Sequence, residues 1–149
     1  LDRRNCISAG RLGAADGLRR GAYILEDCES PQLILIATGS EVGLILEAAR
    51  ALRAEGIAVR CVSMPSWELF EAQPADYRQQ VLPDTVPARV AVEAGIAQGW
   101  HRYVGNQGAV IGMTRFGASA PGDEALRNFG FTAENIQQRA HEVLARTHK

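Results

Sequence analysis

The chain has few of the features that mark disulfide-bonded, membrane or nucleic-acid-binding proteins. It contains three cysteines in 149 residues, an odd number with no CxxC spacing, which disfavours a disulfide framework or a zinc site. Sixteen basic and seventeen acidic residues nearly cancel, and no basic run exceeds two residues, which argues against nucleic acid and anionic membranes as partners. No apolar run approaches the ~20 residues that span a bilayer. We expect a cytoplasmic globular protein with reduced thiols.

Sequence signatures of metal binding and nucleophilic catalysis are also missing. The three histidines, His101, His141 and His148, form no HxH, HxxxH or HExxH pattern, and the sequence has no GxSxG motif. The residues alone therefore predict neither a metal site nor an assembled set of acid, base and nucleophile in this chain.

What the sequence does contain is an alternation of apolar strands with amphipathic helical segments. Such an alternation predicts a parallel sheet with right-handed crossovers. We expect a three-layer αβα fold with a five-stranded, mixed and mostly parallel sheet. A short link between the first two strands favours an antiparallel pair. The predicted strands are 22–25, 33–38, 58–64, 89–95 and 109–114. The predicted helices are 42–55, 67–71, 74–81, 96–104, 123–129 and a last helix capped by Thr132.

The first twenty residues differ from the rest of the chain in composition. They are rich in glycine and arginine and show no lasting strand or helix period, apart from at most one weak helical turn. We interpret residues 1–20 as a linker from a preceding domain and residues 21–149 as one domain. Because the chain starts at Leu1 rather than at methionine, we expect a segment of a longer protein.

The carboxyl ends of parallel strands are where sites form in sheets of this class. In this sequence those ends carry small, polar or glycine residues, so we expect an edge that another chain, domain or ligand can approach closely. We call it the strand-end edge. Its predicted segments are 38–41, 63–66, 93–95 and 114–117.

Three residues of this edge invite a functional interpretation. Ser40 lies where an N-cap would, with Gly39 before it, and the amide groups of a helix start bind either a cap or a phosphate. Glu41 already supplies negative charge there, and no P-loop lysine follows, which favours a plain helix start. Glu93 follows an apolar strand, and three roles are open to it: an acid or base if its pKa is raised, an acceptor of backbone N–H groups from a neighbouring loop, or the partner of an arginine across an interface. We favour the structural role.

Seven stretches in a fixed order resemble one family. They are GAYILED from residue 21, IATGSEV from 36, VRCVSMPS from 59, YRQQVLP from 77, RVAVEAGIAQGW from 89, GMTRFGASAP from 112 and FGFTAENI from 129. In this order and at these spacings they resemble the C-terminal domain of transketolase. The resemblance covers about residues 21–146.

The resemblance implies a function that this chain does not carry alone. Transketolases transfer a two-carbon ketol unit from a ketose phosphate to an aldose phosphate, using thiamine diphosphate and a divalent ion such as Mg²⁺. Both cofactors are bound by preceding domains, at a homodimer interface. The resemblance therefore implies that this domain packs against those domains and the partner subunit and is inactive alone. For that contact we expect the strand-end edge together with Trp67 and Trp100.

The first residues resemble a family segment as well. Leu1-Asp2-Arg3-Arg4-Asn5 is similar to Leu-Ser-Arg-Gln-Asn, in which the arginine contacts the phosphate of the sugar substrate. Carried over, that residue is Arg3, whose guanidinium suits a phosphate because it donates two parallel hydrogen bonds. As an alternative to the packing role, we considered a regulatory module that binds a small anion or nucleotide at Ser40 and around Ser119.

Overall fold

The computed structural model describes residues 6–8, 14–113 and 123–148. The strands are β1 Cys6–Ser8, β2 Tyr23–Cys28, β3 Leu33–Ala37, β4 Val59–Ser63, β5 Arg89–Ile96 and β6 Ala109–Met113. The helices are α1 Ala14–Arg19, α2 Glu41–Ala54, α3 Trp67–Glu71, α4 Ala75–Val81, α5 His101–Val104, α6 Asp123–Asn128 and α7 Ala133–Thr147.

The described strands form one sheet in the order β1-β2-β4-β3-β5-β6. β4, β3, β5 and β6 run parallel, and β2 is antiparallel to them, so the mixed and mostly parallel arrangement is confirmed. β2 pairs with β4 and not with β3, which corrects the pairing that we inferred from the short link. The link therefore crosses over a neighbouring strand. β1 adds a sixth strand beyond the five predicted ones.

Apolar residues on the two faces of the sheet build two clusters, which give the molecule three layers. Alternate residues of β3 divide between them: Leu33 and Leu35 pack with α2 and α7, whereas Ile34 and Ile36 pack with α3, α4 and α5. All five residues of β3 are buried, as expected for a strand covered on both faces.

Some helices begin where the sequence predicts and others do not. Thr132 caps α7 as predicted, since its hydroxyl accepts the backbone N–H of Asn135 at 3.1 Å. The predicted helix over 96–104 is shorter than expected: Ile96 ends β5, residues 98–100 form a turn, and α5 begins only at His101. Gly99 has a φ of 93° in this turn, a conformation that glycine adopts without strain.

The segment that we interpreted as a linker contains both β1 and α1. Gly17 in α1 packs against the ring of Tyr23 in β2, and the carbonyl of Gly21 accepts the N–H of Ser66 at 3.0 Å. The chain just before residue 21 therefore lies against the sheet. The domain boundary itself stays a prediction.

Gly21 occupies a position that no larger residue fits. Its φ is 82°, and an added Cβ would collide with the carbonyl oxygen of Ser66 and the amide nitrogen of Phe70. Because both the conformation and the space exclude a side chain, we expect Gly21→Ala to lower the free energy of unfolding by about 2–4 kcal/mol.

Gly43 provides the matched control, because it lies in α2 and an added Cβ would meet no atom within 4 Å beyond its own stretch of helix. We expect Gly43→Ala to raise the free energy of unfolding by about 0.5–1 kcal/mol, since alanine favours a helix. Urea unfolding followed by far-UV circular dichroism measures both changes. Equal effects of the two substitutions would contradict the position that the structure gives Gly21.

Candidate functional site

The ends of β3, β4 and β5 lie side by side at the strand-end edge. Ala37 at the end of β3 lies between Ser63 of β4 and Val92 of β5, and Glu93 is in register with Gly112 of β6. Because these four strands are parallel, the segments that follow them all leave the sheet at the same edge, the one formed by the carboxyl ends of the strands. The segment 114–117 and Ser119 lie outside the described residues, as does Arg3.

Ser40 does not cap α2 in the way that we predicted. Its backbone is helical, with φ of −66° and ψ of −24°, and within the described residues its side chain accepts no amide hydrogen of the first turn. Instead its hydroxyl donates to the Glu41 carboxylate at 2.8 Å. An extended backbone is what lets a serine reach back to the helix amides, and the turn at Gly39, where φ is 61°, leaves Ser40 in a different geometry.

Glu41 lies in the first turn of α2 and is only 4 % exposed. A carboxylate at this position is stabilised by the positive end of the helix dipole. A bound phosphate would need the same position and would meet this carboxylate. The geometry therefore favours a helix start over an anion site at this turn.

Glu93 binds the backbone of its own strand. β5 departs from regular pairing between Glu93 and Ile96, where Glu93 faces Gly112 and Ile96 faces Met113. Inside this irregular stretch the Glu93 carboxylate accepts the N–H of Gly95 at 2.9 Å. The carboxylate thus stabilises the irregular stretch at the strand end.

The aromatic residues that we singled out form one cluster on the α3–α5 side of the sheet. The Trp67 and Trp100 rings are edge to face with centroids 5.2 Å apart, and Tyr103 lies 6.1 Å from Trp100. Trp100 is 1 % exposed, so it belongs to the core and offers no surface for the contact role that we expected of it. Trp67 is half-buried at the rim of the cluster.

A cleft of about 210 Å³ lies beside the start of β2, where Tyr23 is opposite Ser63 at the end of β4, and no sequence motif indicated it. In it, the Arg20 guanidinium stacks over the Tyr77 ring, 4.7 Å from the centroid. The Tyr77 hydroxyl donates to the Ala22 carbonyl at 2.8 Å, and burial raises the Tyr77 pKa. Its lining residues are Asp16, Gly17, Arg20, Tyr23, Ile24 and Tyr77. The Arg20 guanidinium and the Tyr77 hydroxyl therefore already have partners within the chain.

The described part of the chain provides no obvious means of holding a metal ion. Among residues 6–8, 14–113 and 123–148, no three His, Cys, Asp or Glu side chains come together as ligands. In the same ranges, no helix is long and apolar enough to cross a membrane.

Comparison with known proteins decides the family. Residues 21–132 match the family model described as the transketolase-like TK C-terminal domain. This chain belongs to the transketolase family. Transketolase 2 of Escherichia coli (strain K12) is 56 % identical over 146 residues, which is 97 % of this chain and 22 % of that protein.

Solved transketolase structures share the fold. A transketolase from Leishmania mexicana superposes with a TM-score of 0.84 at 45 % identity, over 93 % of this chain and 20 % of that one. A transketolase from Pichia stipitis in complex with sedoheptulose 7-phosphate gives 0.79 at 35 % identity, over 87 % and 19 %. The chain thus spans about a fifth of the length of these transketolases.

Proposed function

We propose that this chain is the C-terminal domain of a transketolase that transfers a two-carbon ketol unit from a ketose phosphate to an aldose phosphate. The observation that carries the proposal is the match over 97 % of this chain to 22 % of the E. coli transketolase. The sugar-phosphate substrate class is supported by the Pichia stipitis relative, which was solved with sedoheptulose 7-phosphate.

Thiamine diphosphate and a divalent ion, bound by preceding domains, supply the chemistry of the intact enzyme in this proposal. The described residues fit that division, because Ser40, Glu41 and Glu93 bond to each other or to nearby backbone. The role of this domain is then to pack against the preceding domains and a second subunit in a cytoplasmic homodimer. The anion-binding module that we considered as an alternative is not favoured, since the Glu41 carboxylate lies at the start of α2.

A chimera tests this proposal. The C-terminal segment of E. coli transketolase 2 that matches this chain is replaced with this chain, and ketol transfer between sugar phosphates is assayed. We expect activity within about tenfold of the parent, because 56 % identity over 146 residues preserves the packing surface. The same enzyme truncated before this segment is the control. A chimera that is folded and binds thiamine diphosphate yet is inactive would contradict the proposal.

Arg3 is proposed to contact the substrate phosphate in the assembled enzyme. A charge-assisted hydrogen bond contributes about 1.5–3 kcal/mol, so Arg3→Ala in the chimera should raise KM for sugar phosphates about 10–100-fold. Arg4→Ala is the matched control, because it removes the same charge from the neighbouring position. An equal rise in KM for both variants would indicate a general charge effect and remove the specific role of Arg3.

A further inference from the structure

Glu41 has a buried carboxylate at the strand-end edge, and few hydrogen-bond donors reach it. The residue is 4 % exposed, and Glu41 and Ser63 are the two buried polar residues in the part of the chain that the structure describes. A carboxylate can accept about four hydrogen bonds. Within the described ranges, that of Glu41 accepts one, from the Ser40 hydroxyl to Oε1 at 2.8 Å. The other oxygen, Oε2, therefore has no donor from these residues.

The Oε2 atom of Glu41 is accessible from the strand-end edge. It lies beside the turn at Gly39, 3.7 Å from the position that a Cβ would take at this glycine. Gly39 is exposed and has no side chain that could cover the oxygen. Among the described side chains, neither Glu41 oxygen is an atom that is both sealed from solvent and without a partner. A group that approaches the turn at Gly39 therefore meets Oε2.

Basic side chains of the described residues do not balance the negative charge at this edge. Glu93 adds a second carboxylate at the end of β5, the strand next to β3. Within the described ranges, neither Glu41 nor Glu93 forms an ion pair. The dipole of α2 offsets part of the cost of burying a charge, but buried charges in proteins are normally paired. The described part of the edge therefore lacks a cation for Glu41.

We propose that the Glu41 carboxylate is the docking point for a basic side chain, an ammonium or a guanidinium, on the transketolase domain that precedes this one. The inference rests on the proposed function, which places that domain in the same polypeptide. The chain reaches this domain at the strand-end edge, because the carbonyl of Gly21 accepts the N–H of Ser66, which lies just beyond β4. This chain spans 22 % of E. coli transketolase 2, and the remaining domains of the proposed enzyme are joined at this side.

A cation at Oε2 stabilises the assembled enzyme and not the isolated domain. In the isolated domain the Glu41 carboxylate is desolvated without a counter-charge, which costs stability. In the assembled enzyme the same carboxylate accepts a charge-assisted hydrogen bond away from bulk water. Glutamine keeps the size of glutamate and one acceptor oxygen but removes the charge. Glu41→Gln should therefore be neutral or stabilising in this chain alone and destabilising in the assembled enzyme.

Thermal unfolding of two proteins tests the docking point, namely the purified 149-residue chain and the chimera of E. coli transketolase 2 that contains it. In the chain alone, we expect Glu41→Gln to raise the melting temperature or to keep it within about 2 °C. In the chimera, we expect a decrease of about 4–8 °C. A clear decrease in the chain alone would show that the domain itself satisfies Glu41. An unchanged chimera would show that no cation docks there, and either result would overturn the proposal.

Two further substitutions separate docking from local effects. Glu47→Gln should change neither protein, because Glu47 is exposed on the same helix and forms no ion pair in the described ranges. Ser40→Ala should lower both melting temperatures equally, since its hydrogen bond to Glu41 lies within this domain.

The same melting curves distinguish the preceding domain from the second subunit as the source of the cation. A Glu41→Gln effect that disappears when dilution separates the subunits of the chimera would place the cation on the second subunit and overturn the assignment to the preceding domain. Unfolding is measured without substrate turnover, so a folded but inactive chimera that still shows the Glu41→Gln decrease would contradict the proposed function alone.

Discussion

Replacing Arg89 with alanine is expected to lower the free energy of unfolding by about 2–4 kcal/mol. The Arg89 guanidinium lies at the start of β5 and donates to four backbone carbonyls, of which the Pro83 carbonyl also accepts the N–H of Val86. These are the carbonyls of Val86 at 3.0 Å, Tyr103 at 2.7 Å, Pro83 at 2.8 Å and Leu82 at 3.2 Å. Burial lowers the pKa of this guanidinium, and the nearby charge of Asp84 opposes that shift.

The expected loss of stability is large because four backbone carbonyls lose the Arg89 guanidinium at once. The Arg89 side chain ties the loop before β5 to the end of α5, and alanine leaves part of those carbonyls buried without a donor. Arg89→Lys should recover a fraction of the loss, because an ammonium donates but lacks the planar fork. Urea unfolding midpoints measure the series.

Arg50 is the control for charge and helix content. It is exposed on α2 and makes no hydrogen bond or ion pair within the described ranges. Arg50→Ala should therefore change the free energy of unfolding by less than about 0.5 kcal/mol. A similar small loss for Arg89→Ala would mean that water replaces the guanidinium, and would remove its role in holding the loop.

Trp100→Ala is expected to cost about 3–5 kcal/mol, the largest effect of any substitution considered. Trp100 is 1 % exposed and lies among the rings of Trp67 and Tyr103 on the α3–α5 side of the sheet. Alanine leaves a cavity that the backbone of a short turn and helix cannot close, and the edge-to-face contact with Trp67 is lost as well.

Two comparisons separate this cavity from a general effect on the α3–α5 layer. Trp100→Phe should lose only about 1–2 kcal/mol because it keeps a ring in the site. Leu69 in α3 is 45 % exposed, so Leu69→Ala should stay within about 0.5 kcal/mol of the wild type. Denaturation by urea gives all three values. A Trp100→Ala loss below that of Trp100→Phe would contradict the buried position of the indole.

The sequence predicts those parts of the fold that depend on local patterns. The continuous apolar run of β3 and the three- and four-residue spacing in α2 each indicate one kind of element, and both elements form. The position of the strand-end edge follows from the direction of the parallel strands. Thr132 could be recognised as a cap because the signal is confined to four residues.

What the sequence does not predict depends on contacts between distant segments. The sequence of β2 does not predict that β4 is its neighbour, because the apolar pattern of a strand does not determine which strand it pairs with. Arg89 looks like an ordinary polar residue at a strand start, and only the assembled loop reveals four carbonyls around it. Trp100 could be recognised as an aromatic anchor, but whether it faced the core or a partner had to come from the fold.

An activity assay of the purified 149-residue chain shows whether this chain catalyses ketol transfer without the preceding domains. The chain is supplied with thiamine diphosphate, Mg²⁺, a ketose phosphate and an aldose phosphate, with the chimeric enzyme as positive control, and cofactor uptake is followed by calorimetry. We expect no ketol transfer above the buffer rate, and thiamine diphosphate binding no tighter than about 1 mM, roughly −4 kcal/mol. Turnover of the sugar phosphates by this chain alone, or tight uptake of the cofactor, would contradict this expectation.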